Sequence, residues 1–178
     1  MAPTYRLWMS LWFIISTALV FWDAGYCLLR PRSMEGGDLN WIWTPYNLYA
    51  NIDYIYGWPA FNAGEGFTSA QSLLNLVENF INLAYLYSAH IDKSPVAPLI
   101  GFTGVVMTFS KTVLYWAQEY YCGYCKIGHN TAKDIIVLWV IPNGAWLLVP
   151  GIIIGVLGTD IATSLRTQKT VEDVRKMD

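Results

Sequence analysis

The stretch SAQSLLNLVENFINLAYLYSAHIDKSPVAPLIGFTGVVMTFSKTVLYWAQ, residues 69–118, decides the fold. Two apolar runs, about 69–91 and about 96–118, are separated only by the turn sequence His90-Ile91-Asp92-Lys93-Ser94-Pro95. Each is as long as the ~20 helical residues that cross a ~30 Å hydrocarbon layer. Pro95 stops one helix and starts the next, so the pair reads as an antiparallel helical hairpin. Each run also carries an ionisable residue, Glu78 in the first and Lys111 in the second. An ionised group at that depth costs at least ~2.5–3.5 kcal/mol, which marks it as functional or paired.

The same pattern extends outward in both directions. A run at about 8–29 contains Asp23 and is followed by the helix breaker Arg30-Pro31-Arg32. A run at about 134–157 contains Asn143 and precedes a charged tail, 162–178. The composition agrees: 54% of the 178 residues are hydrophobic and 16% aromatic, too apolar for an ordinary soluble domain. The reading is an all-α polytopic membrane protein, one domain over 8–161, with four transmembrane helices. The first run has full spanning length and no small-residue cleavage site after it, so it is read as a retained signal anchor. Residues 33–68 mix Gly, Pro and Asn with seven Trp or Tyr residues, which suits a folded connector at headgroup level whose aromatics anchor it.

Charge sets the orientation. Arg6, Lys93, Arg166, Lys169, Arg175 and Lys176 fall on one side of such a bundle, and Arg30, Arg32, Lys126 and Lys133 on the other. The excess in the tail places both termini in the cytosol and the two larger loops, including the aromatic connector, in the lumen. The net charge of -2 and the absence of a basic patch exclude nucleic acid as a partner. Cys122-Gly-Tyr-Cys125 has redox or metal-ligand spacing, but zinc needs two further ligands with only His129 near, and a thioredoxin-like site needs a soluble βαβ setting. The pair is therefore read as a loop disulfide or two free thiols, with no metal and no cofactor.

At 1.5 Å per residue, Asp23, Glu78, Lys111 and Asn143 lie roughly 9, 13, 10 and 12 Å below the luminal helix ends, so they share one depth. Helical spacing gathers Gln71, Asn75, Glu78 and Asn82 on one face of the second helix, and Thr108, Lys111, Thr112 and Tyr115 on one face of the third. Trp139, Asn143, Trp146 and Pro150 share a face of the fourth. An aromatic ring face stabilises positive charge, and a carboxyl group in low dielectric can hold and release a proton. Paired acids beside indoles thus suit carbocation chemistry: one acid protonates an alkene, the cation rests against ring faces, and a second carboxylate removes a different proton, shifting the double bond. Against this, membrane Asn residues such as Asn75, Asn79 and Asn82 also serve as interhelical glue, and Lys111 could be the buried counter-ion of Asp23 or Glu78. Two acids and one lysine leave one acid to be balanced by a proton or a cationic ligand.

The residues Asn143-Gly-Ala-Trp146-Leu-Leu-Val-Pro150-Gly151, Thr112-Val-Leu-Tyr-Trp-Ala-Gln-Glu119, Glu78, Asp23 and Asp53 after Tyr49-Ala50-Asn51 resemble the emopamil-binding protein family, whose shared unit is the EXPERA domain. The likeness runs over roughly 11–161. It implies a four-span endoplasmic-reticulum protein, often dimeric, with a pocket for sterols or amphiphilic amines. Members include the sterol Δ8-Δ7 isomerase and the non-catalytic sigma-2 receptor. In the isomerase, acids on the first two helices move protons while an Asn and a Trp of the last stabilise the cation, roles that match Asp23, Glu78, Asn143 and Trp146. Two departures stand out: the isomerase has a His where this chain has Leu19, and Lys111 has no counterpart there.

The expectation is therefore a cofactor-independent isomerase or cyclase of a hydrophobic substrate, with a lipid-binding receptor or trafficking protein as the alternative. Asp23, Glu78 and Lys111 are the expected catalytic groups. Asn143, Trp146, Tyr115, Asn82, Asn75, Glu119 and Asp53 are expected to bind substrate.

Overall fold

A computed structural model describes residues 6–176, and among them the fold is all helical. Four long helices, α1 (Leu7–Leu28), α4 (Phe67–His90), α5 (Ala97–Tyr121) and α7 (Ile141–Arg175), are joined by shorter pieces. The connector after α1 folds into a 3₁₀ turn (Asn40–Ile42), α2 (Tyr46–Ile52) and α3 (Trp58–Asn62). A one-turn α6 (Ala132–Asp134) leads through a π-helical stretch, Ile135–Val140, into α7. Thr131 starts this last assembly: its Oγ1 accepts from the Asp134 backbone N–H at 3.2 Å and donates to Asp134 Oδ2 at 2.7 Å, satisfying a free helix-end donor.

Among the described residues three helices are long and apolar enough to cross a membrane: Leu7–Leu28, Ala97–Tyr121 and the continuous run Ala132–Thr170. α4 has 24 residues, but Gln71, Asn75, Glu78, Asn79 and Asn82 interrupt its apolar pattern. The tail expected to follow the last span instead extends α7 to Arg175; Met177 and Asp178 lie outside the described residues.

The helices pack in the order α1, α4, α5, α7. The α4–α5 contact is close because α5 has no side chain where the helices meet. A Cβ on Gly104 would lie 2.5 Å from Asn82 Oδ1, and one on Gly101 2.7 Å from the Tyr85 ring. α7 reaches back to α1 through the Trp12–Trp146 ring pair, with centroids 5.4 Å apart, and the Arg6–Asp160 ion pair at 3.6 Å. The bundle is dry at one end, where Met9, Phe13, Tyr85, Ala89, Val105, Ile153 and Leu157 form a buried cluster.

The connector caps the other end. Trp43 Nε1 donates to the Trp22 carbonyl at 2.7 Å, and Trp22 Nε1 donates to the Ile42 carbonyl at 3.1 Å, so the two indoles staple the connector to α1. Arg30 donates to the Ile55 carbonyl and to Thr68 Oγ1, tying the cap to the start of α4. The expected headgroup anchors divide accordingly: Trp41 is 76% exposed, whereas Trp43, Tyr46 and Tyr56 are turned into the cap and the site below it.

Candidate functional site

Between the dry cluster and the cap lies a cavity of about 350 Å³, inside the ~300–1,000 Å³ range of small-ligand sites. α1 contributes Leu19, Val20, Trp22 and Asp23; α4 contributes Gln71, Asn75 and Glu78; α5 contributes Thr108, Lys111, Thr112 and Tyr115; α7 contributes Pro142, Asn143 and Trp146. The connector closes it with Pro45, Tyr46, Tyr49 and Tyr56. Thus Asp23, Glu78, Lys111, Asn75, Tyr115, Asn143 and Trp146 meet on one wall system, as equal depth and one-face spacing require.

The ionisable groups divide into two arrangements. Lys111 Nζ lies 2.6 Å from Glu78 Oε2 and donates to Asn75 Oδ1 at 2.5 Å, with the Lys111 and Glu78 side chains only 10% and 4% exposed. Of the two candidate counter-ions, Glu78 is the contact partner. Asp23 makes no such ion pair among the described residues; its Oδ1 accepts from the Tyr46 hydroxyl. Burial first, then the Asp23 charge, pushes the Tyr46 phenol well above its ordinary range, so Tyr46 stays an O–H donor.

Behind the opposite wall runs a chain of hydrogen bonds. Asn143 Nδ2 donates to Tyr49 Oη at 3.1 Å, Tyr49 and Tyr115 hydroxyls are 3.2 Å apart, and Tyr115 donates to Asp53 Oδ2. Trp139 Nε1 donates to the same Asp53 oxygen at 2.9 Å, and the Ile55 backbone N–H donates to Asp53 Oδ1 at 3.0 Å. Desolvation raises the Asp53 carboxyl above the ordinary carboxylate range, while those three donors pull it down.

Three residues expected to bind substrate lie off the cavity wall. Asp53 is 0% exposed and sits behind Tyr115, because α2 ends beside it and turns its carboxyl group toward Trp139. Asn82 is one turn too far along α4 and faces Gly104 in the helix contact. Glu119 is past the cavity at the end of α5, where its Oε2 accepts from the Lys126 backbone N–H at 3.2 Å. Trp139 also leaves the face it was expected to share with Asn143 and Trp146. It lies in the π-helical stretch and does not line the cavity: its indole stacks on Tyr115, with centroids 5.6 Å apart, and donates to Asp53. Asn79 acts as glue, donating to the Thr17 carbonyl on α1 at 3.2 Å.

Sequence reasoning missed Trp22, Tyr46, Tyr49 and Tyr56 as wall residues. Tyr46 and Tyr49 follow helical spacing on α2, the signal in the sequence that separates them from headgroup anchors. Cys122 and Cys125 form a disulfide in the loop after α5, near Glu119, and Cys27 is a free buried thiol. Comparison with protein-family models, curated proteins and solved structures finds no match.

Proposed function

We propose that this chain is a membrane isomerase of the EXPERA type, acting on a sterol or terpenoid-like substrate without a cofactor. The reading has four spans, with α4 completed as a span by turning its polar face to the cavity, cytosolic termini, a luminal connector and an endoplasmic-reticulum location. The observation that carries it is the meeting of Asp23, Glu78 and Lys111 on one aromatic-lined cavity in a bundle of apolar helices. The likeness in Asn143, Trp146, Pro150 and Glu78 supports the family assignment.

The geometry supports one division of the steps. Glu78, held beside Lys111, is the base; Asp23, which has Tyr46 and among the described residues no ion pair, is the acid. Asp23 transfers its proton to one alkene carbon, leaving a cation at the other. The Trp22 and Trp146 rings on the wall stabilise that charge. Glu78 then removes a proton from a neighbouring carbon and the C–H electron pair becomes the new double bond; Glu78 releases that proton to water and Asp23 takes one up from water, which completes the cycle. Purified protein should convert a lipid from its own membrane extract, read by mass spectrometry, and lose that conversion in Asp23→Asn and Glu78→Gln.

The Lys111–Glu78 pair also favours a second reading. With Glu78 neutralised, Asp23 alone suffices to hold a cationic amphiphile, and the protein is then a lipid receptor. Retained ligand with no conversion in the same experiment selects this reading.

A further inference from the structure

The hydrogen-bond chain behind the cavity has a direction, and that direction decides what Asn143 offers a ligand. Trp139 Nε1 and the Ile55 N–H can only donate, and both point at Asp53. Tyr115 spends its proton on Asp53, so its oxygen is left to accept, both from Trp139 Nε1 at 3.1 Å and from the Tyr49 hydroxyl. With its proton used, Tyr49 accepts from Asn143 Nδ2. The second Nδ2 hydrogen goes to the Trp139 carbonyl at 2.8 Å, an atom that can only accept. Both amide hydrogens are thus committed away from the cavity, and Asn143 is a wall residue. Its Oδ1 remains as the polar atom available to a ligand.

We infer that Asp53 is a positioning residue which, through Tyr115 and Tyr49, fixes Asn143 as a hydrogen-bond acceptor, so that the cavity selects a ligand bearing a donor at that point: an alcohol over the ketone of the same skeleton. A flipped amide would set Oδ1 against the Trp139 carbonyl, acceptor facing acceptor, and could find a donor only by drawing the Tyr49 hydroxyl away from Tyr115, which is the penalty that holds the orientation. A ketone oxygen opposite Asn143 Oδ1 meets the same penalty, whereas a hydroxyl donates. This rests on the reading of the cavity as the binding site for an uncharged polycyclic or terpenoid lipid.

The test uses androstanol and androstanone, which differ only in hydroxyl against carbonyl, titrated into the purified full chain in detergent. The alcohol should bind about tenfold more tightly, the worth of one hydrogen bond made rather than one acceptor left facing another. In Asn143→Leu the preference should vanish. In Asp53→Asn the amide at position 53 can donate to Tyr115, the chain loses its fixed direction, and the preference should narrow. Tyr49→Phe cuts the chain while leaving Asp53 with Tyr115 and Trp139; it should narrow the preference equally, and it stands in if Asp53→Asn does not fold. Equal binding of both steroids by the wild type overturns the inference while leaving the binding site intact. Binding of neither overturns the site reading itself. A preference undiminished in both Asp53→Asn and Tyr49→Phe overturns the positioning role.

Discussion

Replacing Lys111 by Met should destabilise the bundle severely, and a second substitution should rescue it. Lys111 and Glu78 are 2.6 Å apart with their side chains 10% and 4% exposed, so water does not compensate either charge once its partner is gone. Breaking such a pair costs about 3–5 kcal/mol. In a chain of this length each kcal/mol moves the midpoint by ~2–4 °C, giving a fall on the order of 10 °C. Asn75 Oδ1 also loses its donor in Lys111→Met, which adds to the loss. The double variant Lys111→Met/Glu78→Gln buries no charge and should recover most of the midpoint, since replacing both members of a buried pair is near neutral. Thermal melts in detergent of the wild type, both single variants and the double variant form a cycle that isolates the coupling. A Lys111→Met protein that melts with the wild type, or a double variant no better than Lys111→Met, would refute the pairing.

Gly104→Val should weaken the α4–α5 contact by about 1–3 kcal/mol, read as a lower melting midpoint, because even a Cβ would stand 2.5 Å from Asn82 Oδ1. Asp53 predicts an unusual pH dependence: burial raises its folded-state carboxyl above the unfolded value, so the folded chain binds more protons than the unfolded chain just above the ordinary carboxylate range. Stability from this group therefore rises as pH falls from neutral toward that range; melts of wild type against Asp53→Asn should show it, and an opposite slope would contradict it. In sealed microsomes a membrane-impermeant thiol reagent should label Cys122 and Cys125 only after both permeabilisation and reduction, since they are paired by a disulfide in a loop read as luminal. Labelling of reduced, sealed vesicles reverses the topology.

The features legible in the sequence were those that repeat along one helix. Glu78 lies three residues beyond Asn75, and Lys111 four before Tyr115, so local spacing alone turned them inward together, and equal depth brought Asp23 and Asn143 alongside. What stayed hidden depends on contacts between distant segments. Tyr46, Tyr49 and Tyr56 enter the site only because the Trp22–Trp43 staple and Arg30 fold the connector onto the bundle. Trp139 sits behind Tyr115 because its indole is held by Asp53 and Tyr115, contacts that the helical spacing of its own segment does not encode. Asp53 looks like a pocket acid in a loop; its place behind Tyr115 is set by partners 62 and 86 residues away.

On the proposed mechanism Asp23 adds one proton to a bound lipid and Glu78 removes another. Incubating the purified protein with the lipid that accompanies it, in heavy water, tests this directly by mass spectrometry. The expected result is an isomerised product carrying a single solvent-derived deuterium, formed by the wild type and absent with Asp23→Asn. A lipid recovered unchanged and without deuterium from the folded wild type would contradict this mechanism.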